Sequence, residues 1–328
     1  METIINFLYY SIRMGTPLLF GTTGEVVTER SGNMNLGVEG MMAMGAIGGY
    51  CAACYSGSLL VGILAAFCSA AFGALIYAFL TVSLQANQNV TGLALTIFGN
   101  GVYLFVGRSL AKAGKFPLLS NYPDLAEKVM DKGIPVLRDI PYIGKLLFSY
   151  NIFVYVAIVV AIIMWVYVMR TKTGLRLRAV GENPGAADAC GVNVNRTRYI
   201  NIVLGGGITG LGGLYLAFVI NGGSWNEFWI NGMGWIAVAL VIFANWNPMK
   251  AIFGSFFFGM FNVLMAWKGN LSATFPRVLG WLQLIPDEFY QLLPFLITAL
   301  VLVFASVSKK KKSAEPAAVG VNYFREER

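Results

Sequence analysis

The stretch LLVGILAAFCSAAFGALIYAFLTVSL, residues 59–84, carries no charge across 26 positions. A helix needs about 20 predominantly apolar residues to cross the hydrocarbon of a bilayer, so this segment reads as a membrane span. Working outward, the only carboxylate or base between Ser31 and Gly107 is Glu39. Between Tyr199 and Met249 it is Glu227, and Phe289–Ser308 has none. Such gaps are what burial in lipid demands, because a charge at the bilayer centre costs a few kcal/mol or more. Of the 328 residues 57% are hydrophobic and 12% charged, where soluble domains carry about 25% charged residues.

Spans are expected near Ile4–Gly21, Val38–Tyr55, Leu59–Leu84, Val90–Val106, Ile152–Met169, Tyr199–Ile220, Trp235–Phe243, Ile252–Trp267 and Phe289–Val307. The fold class is therefore all-α, a polytopic transmembrane helical bundle of about 8–10 spans. Several spans are short or glycine-rich, which points to broken or re-entrant helices. The first span lacks the basic start and small-residue cleavage site of a signal peptide, and is read as retained. The chain has no histidine, which excludes His-based triads, zinc-protease motifs and His-ligated haem. Cys51, Cys54, Cys68 and Cys190 sit in apolar contexts that suggest no disulfide framework, and Cys51-x-x-Cys54 reads as two small buried hydrophobes rather than a metal site.

Arg170, Lys172, Arg176, Arg178, Arg196 and Arg198 form one basic segment and Lys309–Lys312 another. The positive-inside rule places both in the cytoplasm, and the even number of spans between them agrees. Counting backward puts residues 108–150 and the N-terminus outside, although that outer segment carries seven basic residues. Beyond Ser313 the tail is polar with alternating charge, the composition of a disordered segment. The basic runs are explained by topology and anionic lipid, so no nucleic-acid partner is expected.

Within the first basic segment lies TGLRLRAVGENPGAADACG, residues 173–191. Asn183 suits an N-cap, Pro184 the first helical position and Gly191 the position past a helix end. A short helix, Pro184–Cys190, is expected. It fits either a groove on another protein or its own loop. This segment resembles the coupling segment of bacterial ABC importer permeases of the ribose, branched-chain amino acid and simple-sugar type. ERSGNMNLGVEGMMAMGA (29–46) and IAVALVIFANWNPMKAIFG (236–254) are similar to runs of the nucleoside-uptake subgroup. The departures are Ala244, where glycine is expected, and Asn100 after Gly99.

The resemblance implies a permease subunit of the cytoplasmic (plasma) membrane, with residues 1–308 as the transmembrane domain, 170–198 as the cytoplasmic coupling loop and 309–328 as a basic, then disordered, tail. Gly181, Glu182, Asn183, Pro184, Ala186, Ala187 and Gly191 would meet a separate ATP-binding subunit. A second related permease, different from this chain, and an extracellular substrate-binding lipoprotein complete the implied set. The sequence has no Gly-x-x-x-x-Gly-Lys-Ser/Thr phosphate loop, so no cofactor is expected in this chain and ATP-Mg belongs to the partner.

Glu39 has two readings: a group bonding the solute or a gate, or a carboxylate settled by the dipole of its own helix N-terminus. Asn35, Asn89, Thr91, Asn100 and Asn245 at membrane depth suit a wet pathway for a small neutral solute, or bridge helices. Gly45, Gly49, Gly206 and Gly210 stand at small-xxx-small spacing and are assigned to helix packing. Trp225, Phe228, Trp229 and Trp235 read as an interfacial aromatic belt. LALTIFGN (93–100) echoes VALVIFAN (238–245) in spans of opposite direction, the pattern of an inverted repeat. A simple-sugar permease and an ion-coupled secondary transporter are the alternatives; Glu39 is the latter's one intramembrane charge.

Overall fold

The computed structural model describes residues 2–135, 137–307 and 315–324. Helices occupy every expected span. They are α1 Glu2–Glu29, α2 Val38–Ser56, α3 Leu59–Ala78 and α4 Gln88–Lys112, then α5 Ile152–Arg170, α6 Lys172–Glu182, α7 Pro184–Ala189 and α8 Val194–Tyr215, and finally α9 Met233–Phe243, α10 Pro248–Thr274 and α11 Asp287–Val307. Among the described residues, α3, α4, α5, α8 and α10, with the turns that extend α3 and α8, are long and apolar enough to cross a membrane. The remaining spans differ for physical reasons. α2 is rich in glycine and packs among α3, α4 and α8, so protein rather than lipid surrounds it. α9 has 11 residues, about half of a crossing.

α8 is the central helix, packed on α1, α2 and α3, and 89% of its most apolar window is buried. Apolar side chains gain little from leaving lipid for protein, so close approach of small residues holds such a bundle. Gly45 of α2 lies against Gly210 of α8, and a Cβ on Gly210 would stand 2.6 Å from the Ala66 carbonyl oxygen of α3. Gly206 lies against Ala74 and Met41, and Gly49 against Ala66 and Leu214. α3 supplies the matching small face with Gly62, Ala66, Ala70 and Ala74, while Leu60, Leu64, Phe72, Leu75 and Phe79 point outward. The large residues outside and the small ones inside invert the pattern of a soluble helix.

α10 runs antiparallel to α1: Thr274 bonds Thr3 at 3.2 Å, and at the other end Arg30 donates to the Trp246 carbonyl at 2.9 Å. One face of the bundle carries residues 30–35, 85–88, 170–198 and 246–247, and its basic residues make it the expected cytoplasmic face. Residues 112–135 and 137–150 lie at the opposite face, where Arg13, in the first half of α1, pairs with Asp131 at 3.2 Å. The composition of the tail predicts disorder, but residues 315–324 are packed across the cytoplasmic face. Backbone bonds explain the difference: Ala318 donates to Gly181 at 2.9 Å, and Asn322 donates to Gln85 and Ala86. Lys309–Lys312 lie outside the described residues.

α3 and α8 run in opposite directions yet finish on the same wide turn. Residues 79–83 close with Leu84 N–H to Phe79 O at 3.1 Å and Ala86 N–H to Leu80 O at 2.9 Å. Residues 216–220 close with Asn221 N–H to Leu216 O at 3.0 Å and Gly223 N–H to Ala217 O at 2.9 Å. The next membrane helices, α4 and α9, carry the two echoed segments and also run oppositely. The echo stops short of residue equivalence, because Asn100 lies within α4 while Asn245 follows the end of α9 at φ +51°.

Candidate functional site

α9 begins inside the bundle. Its second turn packs beside Leu18 midway along α1, and its far end reaches the Glu29–Arg30 level, where Trp246 Nε1 donates to the Glu29 carboxylate. An interrupted helix leaves unpaired N–H groups and a positive dipole end of about half a charge at membrane depth. Glu39 answers both. Its Oε1 accepts from Gly232 N–H at 2.8 Å and its Oε2 from Gly234 N–H at 2.7 Å. The side chain is buried, with 6% of the residue exposed. Glu39 lies in the first turn of its own helix, α2, and its carboxylate oxygens accept N–H groups from a second helix end. The helix its side chain caps is α9, 193 residues along the chain.

Outside this cap lies a cavity of ≈ 220 Å³ lined by Glu39, Asn100, Tyr103, Glu227, Phe228 and Asn231, among others. Two of the residues expected along a pathway, Glu39 and Asn100, thus meet. The connection from α8 to α9 builds the outer wall, with positive φ at Gly222, Gly223, Asn231 and Gly232 folding it back toward the bundle. Tyr103 from α4 donates to the Asn226 carbonyl and holds this connection. Arg108 grips Glu227 with two bonds of 2.7 Å, and the hydrogen bond from its guanidinium keeps the Glu227 carboxyl below the usual carboxylate range.

The aromatic belt needs correction. Trp229 is 1% exposed and packs among Tyr50, Tyr103, Phe116 and Trp225, with ring centres 5.1–6.0 Å apart. Its indole N–H donates to the Ser224 carbonyl at 2.8 Å, so it anchors the connection instead of sitting at a lipid surface. Phe228 is 72% exposed and faces the cavity mouth. Tyr103, Asn231 and the Gly232–Gly234 turn are site residues that sequence reasoning did not select. Two glycines after an Asn-rich aromatic run were the available signal.

The other polar residues lie elsewhere. Asn35 is buried near the cytoplasmic face, with its backbone N–H on Glu25 at 3.0 Å and its Oδ1 accepting from Gly37 N–H at 2.9 Å. It fixes the entry into α2. Asn89 is exposed in the first turn of α4, Thr91 is buried two residues on, and Asn245 is half-buried where α9 ends.

At the cytoplasmic face α6 and α7 form a bent hairpin. Asn183 caps α7 by accepting from Ala186 N–H at 2.9 Å, Pro184 starts it, and Gly191 ends the turn at φ +81°. The helix itself is Pro184–Ala189, with Cys190 as its C-cap. Ala187 is buried against Val180 and Val194, while Glu182, Asn183 and Ala186 are exposed. Gly181 packs on the Arg30 carbonyl, so α6 rests directly on the end of α1. The hairpin thus presents one small exposed helix and is seated on the bundle by its other side. No group of three or more metal-ligating side chains occurs among the described residues.

A family model described as the permease component of the branched-chain amino acid transport system matches residues 7–302. The nucleoside ABC transporter permease protein NupC of Lactococcus lactis is 34% identical, over 98% of this chain and 96% of the relative. The guanosine ABC transporter permease protein NupQ of Bacillus subtilis is 33% identical over 95% and 94%. A Haloferax volcanii protein provisionally described as a glucose ABC transporter permease is 32% identical over 99% of both. No solved structure matches the chain.

Proposed function

The chain belongs to the branched-chain amino acid transport system permease family, and from that membership we propose that it is the membrane-spanning subunit of an ATP-driven importer of nucleosides. It is a multi-pass protein of the cytoplasmic membrane. Near-full-length likeness to two permeases, one of nucleosides and one of guanosine, is the observation that carries the substrate reading.

The site supports a neutral solute on electrostatic grounds. Interrupted membrane helices often aim an N-terminus at an anionic group of the substrate. Here Glu39 already occupies the N-terminus of α9, so a substrate carboxylate would meet a carboxylate. Amides at Asn100 and Asn231 and aromatic faces at Tyr103 and Phe228 suit the hydroxyls and flat base of a nucleoside. The cavity is smaller than the about 300–1,000 Å³ of ordinary ligand pockets, which agrees with a second permease supplying the rest of the pathway.

The chain carries no ATPase site of its own. A separate ATP-binding subunit, holding ATP and Mg, docks on α7. Its closure displaces α6 and α7 and exchanges the side to which the pathway opens, and differential binding of the two states provides the drive. An extracellular binding lipoprotein delivers the solute. The alternative of a simple sugar is favoured by the Haloferax relative. Uptake of labelled guanosine and uridine by cells expressing the assembled transporter separates the two. Competition by unlabelled nucleosides but not by ribose or glucose is expected. Competition by the free sugars at equal concentration would move the substrate to sugars.

A further inference from the structure

We propose that residues 315–324 form a relay strap that carries displacement of α7 to the α3–α4 turn, with Asn322 and Tyr323 as its positioning residues. The inference rests on the reading of α7 as the ATPase contact and extends it into the membrane.

The strap touches both sides of that joint. Tyr323 donates to Asp188 of α7 at 2.8 Å, and its ring packs beside Val180, Ala187 and Val194 beneath the same helix. The adjacent residue turns the other way. Asn322 Nδ2 donates to the carbonyls of Gln85 and Ala86, and its Oδ1 accepts from Gln88 Nε2 at 3.3 Å. Gln85 Nε2 in turn donates to the Tyr323 carbonyl at 3.0 Å. Gln85 has φ +55° and Gln88 opens α4, the helix that carries Asn100 and Tyr103 to the cavity. Between these points the strap is tied down by Ala318 N–H on Gly181 at 2.9 Å and by Arg198 Nη2 on the Val321 carbonyl at 3.3 Å. Arg198 is buried in the second turn of α8.

The strap borders a groove of ≈ 500 Å³ lined by Gln85, Asp188, Gly191, Asn193, Tyr323 and Phe324. Within the strap, two consecutive residues join the helix and the turn by side-chain hydrogen bonds. Coupling of two sites needs a physical element whose arrangement both can bias, and the strap is such an element.

The test uses the full transporter with its ATPase and compares Tyr323→Phe, Asn322→Asp, their combination, and Ala186→Glu on α7. Asn322→Asp keeps the acceptor for Gln88 and removes the donor to Gln85 and Ala86. The strap variants are expected to co-purify with the ATPase and hydrolyse ATP at the basal rate, while guanosine taken up per ATP falls about fivefold. The double variant is expected to lose less than the product of the singles, because both act through one link. Unchanged uptake per ATP overturns the relay, and so does loss of the ATPase or of membrane abundance, which would make the strap a dock or a folding element. If Ala186→Glu retains full uptake, the reading of α7 falls instead; if Ala186→Glu alone abolishes uptake, only the relay falls.

Discussion

Glu39 decides how a charge survives at membrane depth. Its two oxygens accept the Gly232 and Gly234 N–H groups at the start of α9, so the buried carboxyl is partnered by a helix end. An amide cannot repeat this, since only its oxygen accepts. Glu39→Gln should destabilise the protein by about 1.5–3 kcal/mol, the range for hydrogen bonds to a charged group, seen as a lower melting temperature in detergent. Uptake should fall with it, and a variant with normal melting and full uptake would return Glu39 to the role of a bystander. Asn100→Ala should leave melting unchanged and raise the KM for guanosine about tenfold, because it removes a cavity amide and no packing. Glu227 is held below the usual carboxylate range by Arg108. A depressed carboxylate contributes its stabilisation above its unfolded pKa and loses it as pH falls through the folded value. External acidification from pH 7 to 5 should therefore leave the outer connection in place.

At the scale of elements, the helices that reason most simply from sequence are the ones closed by local chemistry. Asn183, Pro184 and Gly191 each sit at the cap, first turn and terminus that their side chains favour, because those preferences act within four residues. The cap of α9 was not legible, since Glu39 lies 193 residues from the N–H it accepts and only folding unites them. The strap was hidden for a related reason: its polar residues satisfy backbone groups of Gln85, Ala86 and Gly181, and composition does not report such partners. The buried Trp229 misled because tryptophan at an outer loop is common at lipid interfaces; its ring partners come from α2, α4 and the outer segment. Two alanine substitutions test the packing. Gly210→Ala places a methyl 2.6 Å from the Ala66 carbonyl oxygen and should cost about 1–3 kcal/mol, whereas Gly101→Ala on α4 meets nothing within 4 Å and should be neutral or slightly stabilising. Equal melting temperatures for the two would show that α2, α3 and α8 are not closely packed by small residues.

For the whole molecule, the scarcity of charge in long apolar runs already pointed to an all-helical membrane protein, and the helices bear that out; the orientation stays an expectation from the basic residues. The architecture then divides the work between two levels. The exposed α7 lies on the basic face on a seat formed by α6 and α1, and the polar cavity lies at the broken helix α9 nearer the opposite face. α8, glycine-lined and almost wholly buried, runs between the levels, starting beside α7 and ending at the connection that walls the cavity. A rigid central helix held by close backbone contacts can move as one body when its cytoplasmic end is pushed. The central claim is that this movement is driven by ATP hydrolysed on another chain and serves a neutral nucleoside. Proteoliposomes containing this chain, the proposed companion permease and the ATP-binding subunit, supplied with guanosine-loaded binding protein outside, test it directly. Labelled guanosine should accumulate only when ATP is enclosed, and should be unaffected when proton and sodium gradients are collapsed. Accumulation without ATP that disappears on collapsing either gradient would contradict the account.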